Sequence, residues 1–398
     1  MEEEARRVAI REYDPETDRS QAEAVDRMCE VGPSGETSLY TDLLGDPLAR
    51  VRHSPAYLML VAETNGPAKQ LVGLIRGCVK TVTCGKKTHR KETPIYTKVG
   101  YILGLRVSPT HRRMGIGLHL VRRMESWFRQ KGAEYSYMAT EKDNEASIRL
   151  FTGRCGYSKF RTPSILVHPV FSHRLSVSRH VSILRLPVRD AESLYRRRFS
   201  TTEFFPRDFD AILSNPLYLG TFLAVTGSTS DTYRWPGVDS FLGSSPDSWA
   251  VASVWDCGGV FRLEVRGASR ARRLIAAISR KIDRAAKWAR VPAVPDLFRP
   301  FSVWFLFGIG GEGEEAAEMA GEICRHVHNM ARGRAAAVAA EVAACEPLRS
   351  GIPHWRRLSC AEDLWCAKRL AEEYSDGEVG DWTNSAPGKS IFVDPREV

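Results

Sequence analysis

Residues 99–160 read VGYILGLRVSPTHRRMGIGLHLVRRMESWFRQKGAEYSYMATEKDNEASIRLFTGRCGYSKF. An apolar strand runs to Val107, and the compact turn Arg112-x-x-Gly115-x-Gly117 leads into a helix. There Leu120, Val121, Met124, Trp127 and Phe128 recur at helical spacing, with Arg122, Arg123, Arg129 and Gln130 on the opposite face. Gly132 closes that helix, and Tyr135 to Thr140 reads as a buried strand. Asp143 or Asn144 then caps a second helix whose inward side chains are Ile148, Leu150, Phe151 and Cys155, with Gly156 at its stop. The first N–H groups of a helix lack intrahelical partners and sit at the positive end of its dipole. A glycine turn at that point is therefore suited to a pyrophosphate. Arg112, Arg113 and Arg122 either add charge-assisted contacts or form a solvated basic face.

The strand, the Arg/Gly turn with its helix, and Asn144-x-x-Ser147-x-x-Leu150-Phe151 followed by Gly156-Tyr157 together resemble the GCN5-related N-acetyltransferase (GNAT) superfamily. The resemblance covers roughly residues 7–168. It includes a first strand over Arg7 to Tyr13, a helix over Ser20 to Met28, and a hairpin of Tyr57 to Glu63 with Leu71 to Thr83 about Gly66-Pro67. VGPSGETSLYTDLLGDPLARVRHSPAYLMLVAE and CGYSKFRTPSILVHPV are similar to the plant Hookless-type N-acetyltransferases.

The resemblance implies an α/β (α+β) fold with a mixed sheet flanked by helices, and acetyl-CoA as cosubstrate with no metal. It implies that pantetheine lies against the strand end at Leu105, Arg106 and Val107. Arg112, Arg113, Met114, Gly115, Ile116 and Gly117 would hold the pyrophosphate, Asn144 would fix the pantetheine arm, and Tyr157 would lie near it. Tyr101 stands at the position resembling the glutamate base of the histone-modifying branch, and Phe151 stands where many members carry a tyrosine acid. With an unperturbed pKa near 10, a tyrosine is a poor base at neutral pH, so Tyr101 reads as a wall or an orienting hydroxyl. Glu141, beside the expected pantetheine channel, and Glu36, in the loop bordering the acceptor site, are the candidate carboxylates; each also reads as an ordinary solvated acid.

With 398 residues, 43% hydrophobic and 26% charged, the chain is globular and long enough for two domains. The acidic start MEEEARR and the absence of an apolar run of about 20 residues predict neither signal peptide nor membrane span, hence an intracellular protein of nucleus or cytoplasm. Nine cysteines without a CxxC pair suit reduced thiols, and His326 and His328 lack spaced metal-ligand partners. The net charge of +9, with clusters at 86–91, Arg196-Arg197-Arg198 and Arg270 to Arg273, suits chromatin or another acidic partner, or else a solvated surface.

Beyond Ser172 the order of elements restarts. Val181 to Leu186 is strand-like and Ala191 to Phe199 helical, and Asn215-Pro216-Leu217-Tyr218-Leu219 echoes Ser54-Pro55-Ala56-Tyr57-Leu58. Trp249 to Val254 and Val260 to Val265 are expected to pair as a hairpin. Ser302 to Phe307 is a strand ending in a turn at Gly308-Ile309-Gly310-Gly311, before a helix over Ala316 to Ala331. Glu312, Glu314 and Glu315 replace arginines there, so this degenerate copy is expected to bind no cofactor; packing, substrate capture or dimerisation are the roles open to it. The expected organisation is a GNAT domain over 1–172, a degenerate GNAT-like domain over 173–377 and a loosely ordered tail over 378–398, with a mobile loop at Thr226 to Ser248 and a basic helix over Arg270 to Arg290.

The resulting expectation is direct acetyl transfer to an amine: a protein lysine, as in a histone, a protein N-terminus or a small amine. The subfamily resemblance implies a developmental or chromatin-linked regulator. Glu30, Glu36, Asp42 and Asp46 either attract a cationic acceptor or solvate their loop. A non-catalytic acetyl-CoA sensor or interaction scaffold is the competing class. A dinucleotide-binding domain would need an acidic ribose contact that Tyr135 to Thr140 lacks.

Overall fold

The computed structural model describes residues 8–29, 38–88, 91–226, 233–372 and 381–398. In the first half, β1 (Val8–Glu12), α1 (Arg19–Met28), β2 (Ser38–Asp42), β3 (Ala56–Thr64), β4 (Leu71–Thr88) and β5 (Lys91–Val107) precede α2 (Ile116–Gln130). β6 (Tyr135–Glu141), α3 (Glu145–Arg154), β7 (Ser158–Arg161) and β8 (Ser164–Pro169) follow. Ile116, Leu120, Val121, Met124 and Phe128 of α2 are buried against the sheet, the face that the apolar spacing marks. Asn144 caps α3 by accepting the Ser147 N–H at 3.2 Å.

The second half contains β9 (Val181–Leu186), α4 (Val188–Arg198), α5 (Phe209–Leu213), β10 (Tyr218–Thr226), α6 (Val238–Gly243), β11 (Trp249–Asp256) and β12 (Arg262–Arg266). After these come α7 (Arg270–Ala285), β13 (Val303–Glu312), α8 (Ala316–Ala331), β14 (Ala337–Val342) and β15 (Asp363–Arg369). Part of the glycine- and serine-rich stretch after Thr226 is thus helix α6, seated by buried Val238 and Phe241 rather than left as a loop.

Two sheets of the same plan face each other. One has the order β1-β3-β4-β5-β6-β15-β7, the other β8-β14-β13-β11-β10-β9. Each contains one parallel pair of four residues, Val99–Ile102 against Tyr135–Met138 and Val303–Leu306 against Ala337–Ala340. Two residues beyond each pair lies a glycine in the left-handed region, Gly104 at φ +61° and Gly308 at φ +60°.

The halves exchange strands. β15, from late in the chain, inserts between β6 and β7, while β8, early in the chain, pairs with β14 in the other sheet. A cut at 172 therefore does not separate the sheets. The expected hairpin of Trp249–Val254 with Val260–Val265 does not form. Asp256 accepts the Gly258 N–H at 2.9 Å and turns the chain out of the sheet, so β12 pairs with β2 of the first half.

The glycines 308, 310 and 311 do not make a turn either. β13 continues through them and pairs Gly310 with Val251 and Gly311 with Ala250, and the chain turns only at Gly313. A side chain at Gly310 would collide with the Phe199 ring, so glycine there serves packing.

The last residues are core rather than loose extension. Trp382, Phe392 and Val393 are buried with Tyr101, Tyr137, Phe204, Phe305 and Trp365 in the cluster between the sheets. Apolar burial of this kind, worth about 1.5–3 kcal/mol for each large side chain, outweighs the weak local periodicity of the segment.

Candidate active site

The parallel pairing of β5 with β6 ends at Ile102 and Met138. Beyond it β5 pairs only with β4, through Leu103, Arg106 and Val107, with a register shift at the Gly104 bulge. β6 keeps β15 on its other edge throughout, from Tyr135 with Arg369 to Glu141 with Asp363. The two strands thus splay into a wedge, and Leu103 to Val107 have no strand partner on the side facing it. Leu105, Arg106 and Val107 border this wedge, where extended backbone can pair with an amide-bearing chain.

The turn closes the wedge at one end. Ser108 N–H donates to the Val72 carbonyl at 2.8 Å, and the chain passes through Arg113 at φ +65° to Gly115 at φ +80°, which heads α2. An added Cβ at Gly115 would meet nothing within 4 Å, so the backbone conformation, not crowding, calls for glycine. The Gly115 carbonyl takes the His119 N–H at 3.1 Å, and the N–H groups of Ile116, Gly117 and Leu118 precede the first intrahelical donor. Arg112 and Arg113 are exposed beside them, and Met114 is half-buried. Open space, free donors and positive charge fit a pyrophosphate here.

Not every expected contact converges on the wedge. The Asn144 side-chain oxygen is engaged in its own cap. Tyr157 is 3% exposed on the α2 side of the sheet, with its hydroxyl 2.8 Å from Ser136 Oγ. It therefore packs in the core and lines no open channel. Phe151, also buried, meets the Tyr157 ring edge-on at 5.1 Å and brings no proton donor.

On the sheet face opposite α2, Tyr101 stacks on Tyr137 with ring centroids 4.6 Å apart. Burial, and then the Glu397 carboxylate, raise the Tyr101 pKa well above 10, so it stays protonated at neutral pH and is no base. Glu141 is exposed at the rim, four residues of strand or about 13 Å from the Tyr137 row. Glu36 lies outside the described residues, and the structure does not bring Tyr101 and Glu141 together.

The carboxylate at this spot that local sequence reading misses is Glu397. It accepts the Tyr137 hydroxyl at 2.7 Å and Lys80 Nζ at 2.7 Å, and burial raises its pKa despite Lys80. Lys80 also faces Asp394 at 3.5 Å. Burial opposes ionisation of Asp394, yet Arg396 and Lys80 hold its pKa below the usual carboxylate range. Burial also pushes Glu341, which accepts the Trp365 indole N–H at 3.0 Å, up to about 8, and Asp363 up to about 6. No motif flags these residues, because they reach the site from the end of the chain and from the second half.

Among the described residues no group of three or more His, Cys, Asp or Glu side chains could hold a metal ion, and no helix is long and apolar enough to cross a membrane.

Residues 25–157 match the acetyltransferase (GNAT) family. The chain is 60% identical to a probable N-acetyltransferase HLS1-like of Arabidopsis thaliana, over 98% of this chain and 99% of that protein. It is 40% identical to acetyl transferase GW6a of Oryza sativa subsp. japonica, over 98% and 97%. Its fold is similar to that of N-myristoyltransferase from Saccharomyces cerevisiae, solved with bound myristoyl-CoA, with a TM-score of 0.51 at 8% identity over 91% of this chain and 79% of that one. By its splayed sheet, its glycine turn and its full-length relatives, the chain belongs to the acetyltransferase (GNAT) family and is an acyltransferase.

Proposed function

We propose that the protein transfers the acetyl group of acetyl-CoA directly to an amine, without a covalent enzyme intermediate. The observation that carries this reading is the wedge between β5 and β6 ending at the free N–H groups of α2. Pantetheine lies along Leu103 to Val107, the pyrophosphate sits at residues 112–117, and the acceptor approaches from the face bearing Tyr101. The amine lone pair attacks the thioester carbonyl carbon, the C–S bond breaks, and the thiolate leaves with a proton. Most of the acceleration comes from holding amine and thioester together, with Tyr101 as a wall. Glu397, buried and of raised pKa, takes the proton that the amine gives up and hands it on to the departing thiolate.

The second half serves as scaffold and donor of strands. Its α8 begins beside exposed Glu314 and Glu315, a field that repels phosphate. The acceptor is a protein lysine, a protein N-terminus or a small amine, in keeping with the N-acetyltransferase names of the plant relatives.

The test is calorimetric titration with acetyl-CoA together with thiol release in the presence of amines. Gly115→Glu, which places a carboxylate at the pyrophosphate turn, is expected to abolish binding and turnover while the protein stays folded. Tight binding with no transfer to any amine would replace this reading by an acetyl-CoA sensor.

A further inference from the structure

Beside the Gly104 bulge, on the sheet face that carries Tyr101, lies a small cleft of about 30 Å³ that opens to solvent. Arg50, Arg76, Arg106, Asp26 and Tyr40 are among the groups that line it. Three guanidiniums therefore meet one carboxylate. That carboxylate is already committed, because Asp26 takes the Arg76 Nη2–H at 2.6 Å.

Arg106 donates only to the Leu105 carbonyl, at 3.2 Å. Arg50 reaches the carbonyls of Val398 and Glu397 at 3.3 and 3.2 Å, and its ring contact with Phe261 is at 5.9 Å. Neither has a carboxylate partner among the described residues. Burial lowers the pKa of both, and Arg76 beside them adds to the lowering. Half-buried guanidiniums crowded by like charge gain from an anionic partner, and a planar fork with free donors matches a carboxylate.

The acids expected to attract a cation are occupied or stand elsewhere. Asp42 accepts the Leu44 N–H at 3.0 Å, Asp46 pairs with Arg52, and Glu30 and Glu36 lie outside the described residues. Gly104, three residues along β5 from Tyr101, lines the cleft, which ties it to the face from which the acceptor comes.

We propose that Arg50 and Arg106 bind the carboxylate of the acetyl acceptor, so that the acceptor is a small amine carrying a carboxylate close to its nitrogen, in the manner of a free α-amino acid. This rests on the reading of the protein as an acetyl-CoA-dependent transferase. The charge of the cleft disfavours a lysine-rich peptide, whose cations would face two unpaired guanidiniums.

The experiment uses the full chain with saturating acetyl-CoA, and measures thiol release with the free α-amino acids, the same amino acids as carboxamides, and a lysine-rich peptide. The expected result is a KM at least tenfold lower for an acid than for its amide, with the peptide the poorest acceptor. Arg106→Gln and Arg50→Gln are expected to raise that KM roughly 10- to 100-fold, the loss of a charge-assisted bond, with acetyl-CoA affinity unchanged by calorimetry in Arg50→Gln, which lies off the pantetheine strand. Arg106, which holds no other segment of the chain, serves as the informative variant should Arg50→Gln impair folding.

Equal KM for acid and amide, preference for the peptide, or an unchanged KM in Arg106→Gln overturns the proposal. Titration of the preferred amino acid into the protein separates the two readings. Binding that is lost in Arg106→Gln, without turnover, keeps the carboxylate site and removes the transferase; turnover of amines without such binding does the reverse.

Discussion

At the scale of single residues, the site is set by what burial does to ionisable groups. Tyr101 stands where a base is expected, yet its surroundings keep it protonated, so Tyr101→Phe is expected to leave kcat within about threefold. Glu397 occupies the same face with a carboxylate. Its change to Gln is expected to lower kcat about 10²- to 10⁴-fold with little change in KM, while Glu141→Gln at the rim has no comparable effect. Steady-state kinetics at several pH values check both, with thermal unfolding as the control for the lost Lys80 pair. Unchanged kcat in Glu397→Gln would leave positioning as the whole mechanism.

At the scale of elements, β8 and α8 meet through two histidines that burial keeps neutral. His328 Nε2 accepts the Phe171 N–H at 2.8 Å, while neither ring nitrogen of His168 has a partner. Burial lowers both to about 4. Both are neutral in folded and unfolded chain above about pH 6.5. As pH falls from there toward 4, only the unfolded chain takes up protons, so stability is lost over that window.

Glu341 and Asp363 act in the opposite sense. Their raised pKa makes the folded state hold protons longer, so their contribution fades as pH rises through about 8 and 6. The difference between variant and parent isolates the histidine. His168→Leu is expected to lose about 1–2 kcal/mol less stability than the parent between pH 7 and 5, measured by urea unfolding at each pH. Parallel pH profiles would show that His168 is ionised or solvated in the fold.

At the scale of the whole molecule, the strand exchange makes two sheets one folding unit. β15 completes the first sheet, β8 completes the second, β12 pairs with β2, and Arg396 ties Asp208 to Asp394 beneath both. Calorimetry of the full chain is therefore expected to give a single unfolding transition whose calorimetric and van't Hoff enthalpies agree. A fragment of residues 1–172 is expected not to fold, since it lacks the strand between β6 and β7 and leaves β8 unpaired. Two resolved transitions would show that the halves are energetically independent. The wedge depends on this arrangement, because β15 holds the end of β6 in the sheet beyond the point where β5 has left it.

Local sequence settled much that depends on short-range geometry, though not the run of Gly308 to Gly311, which is strand, or helix α6. The apolar spacing of α2, the Asn144 cap, the glycine at the head of α2 and the strand feeding the turn were all legible, because each is decided within a few residues by backbone sterics and helix periodicity. The tertiary structure alone decided which strands pair, and so that Trp249–Asp256 is a central strand without its expected hairpin partner and that the last residues are core. It also decided that Tyr157 turns inward and that Glu397, Arg50 and Arg106 come to one face. Strand partners are chosen by the burial of whole faces against each other, a long-range term that no window of sequence contains.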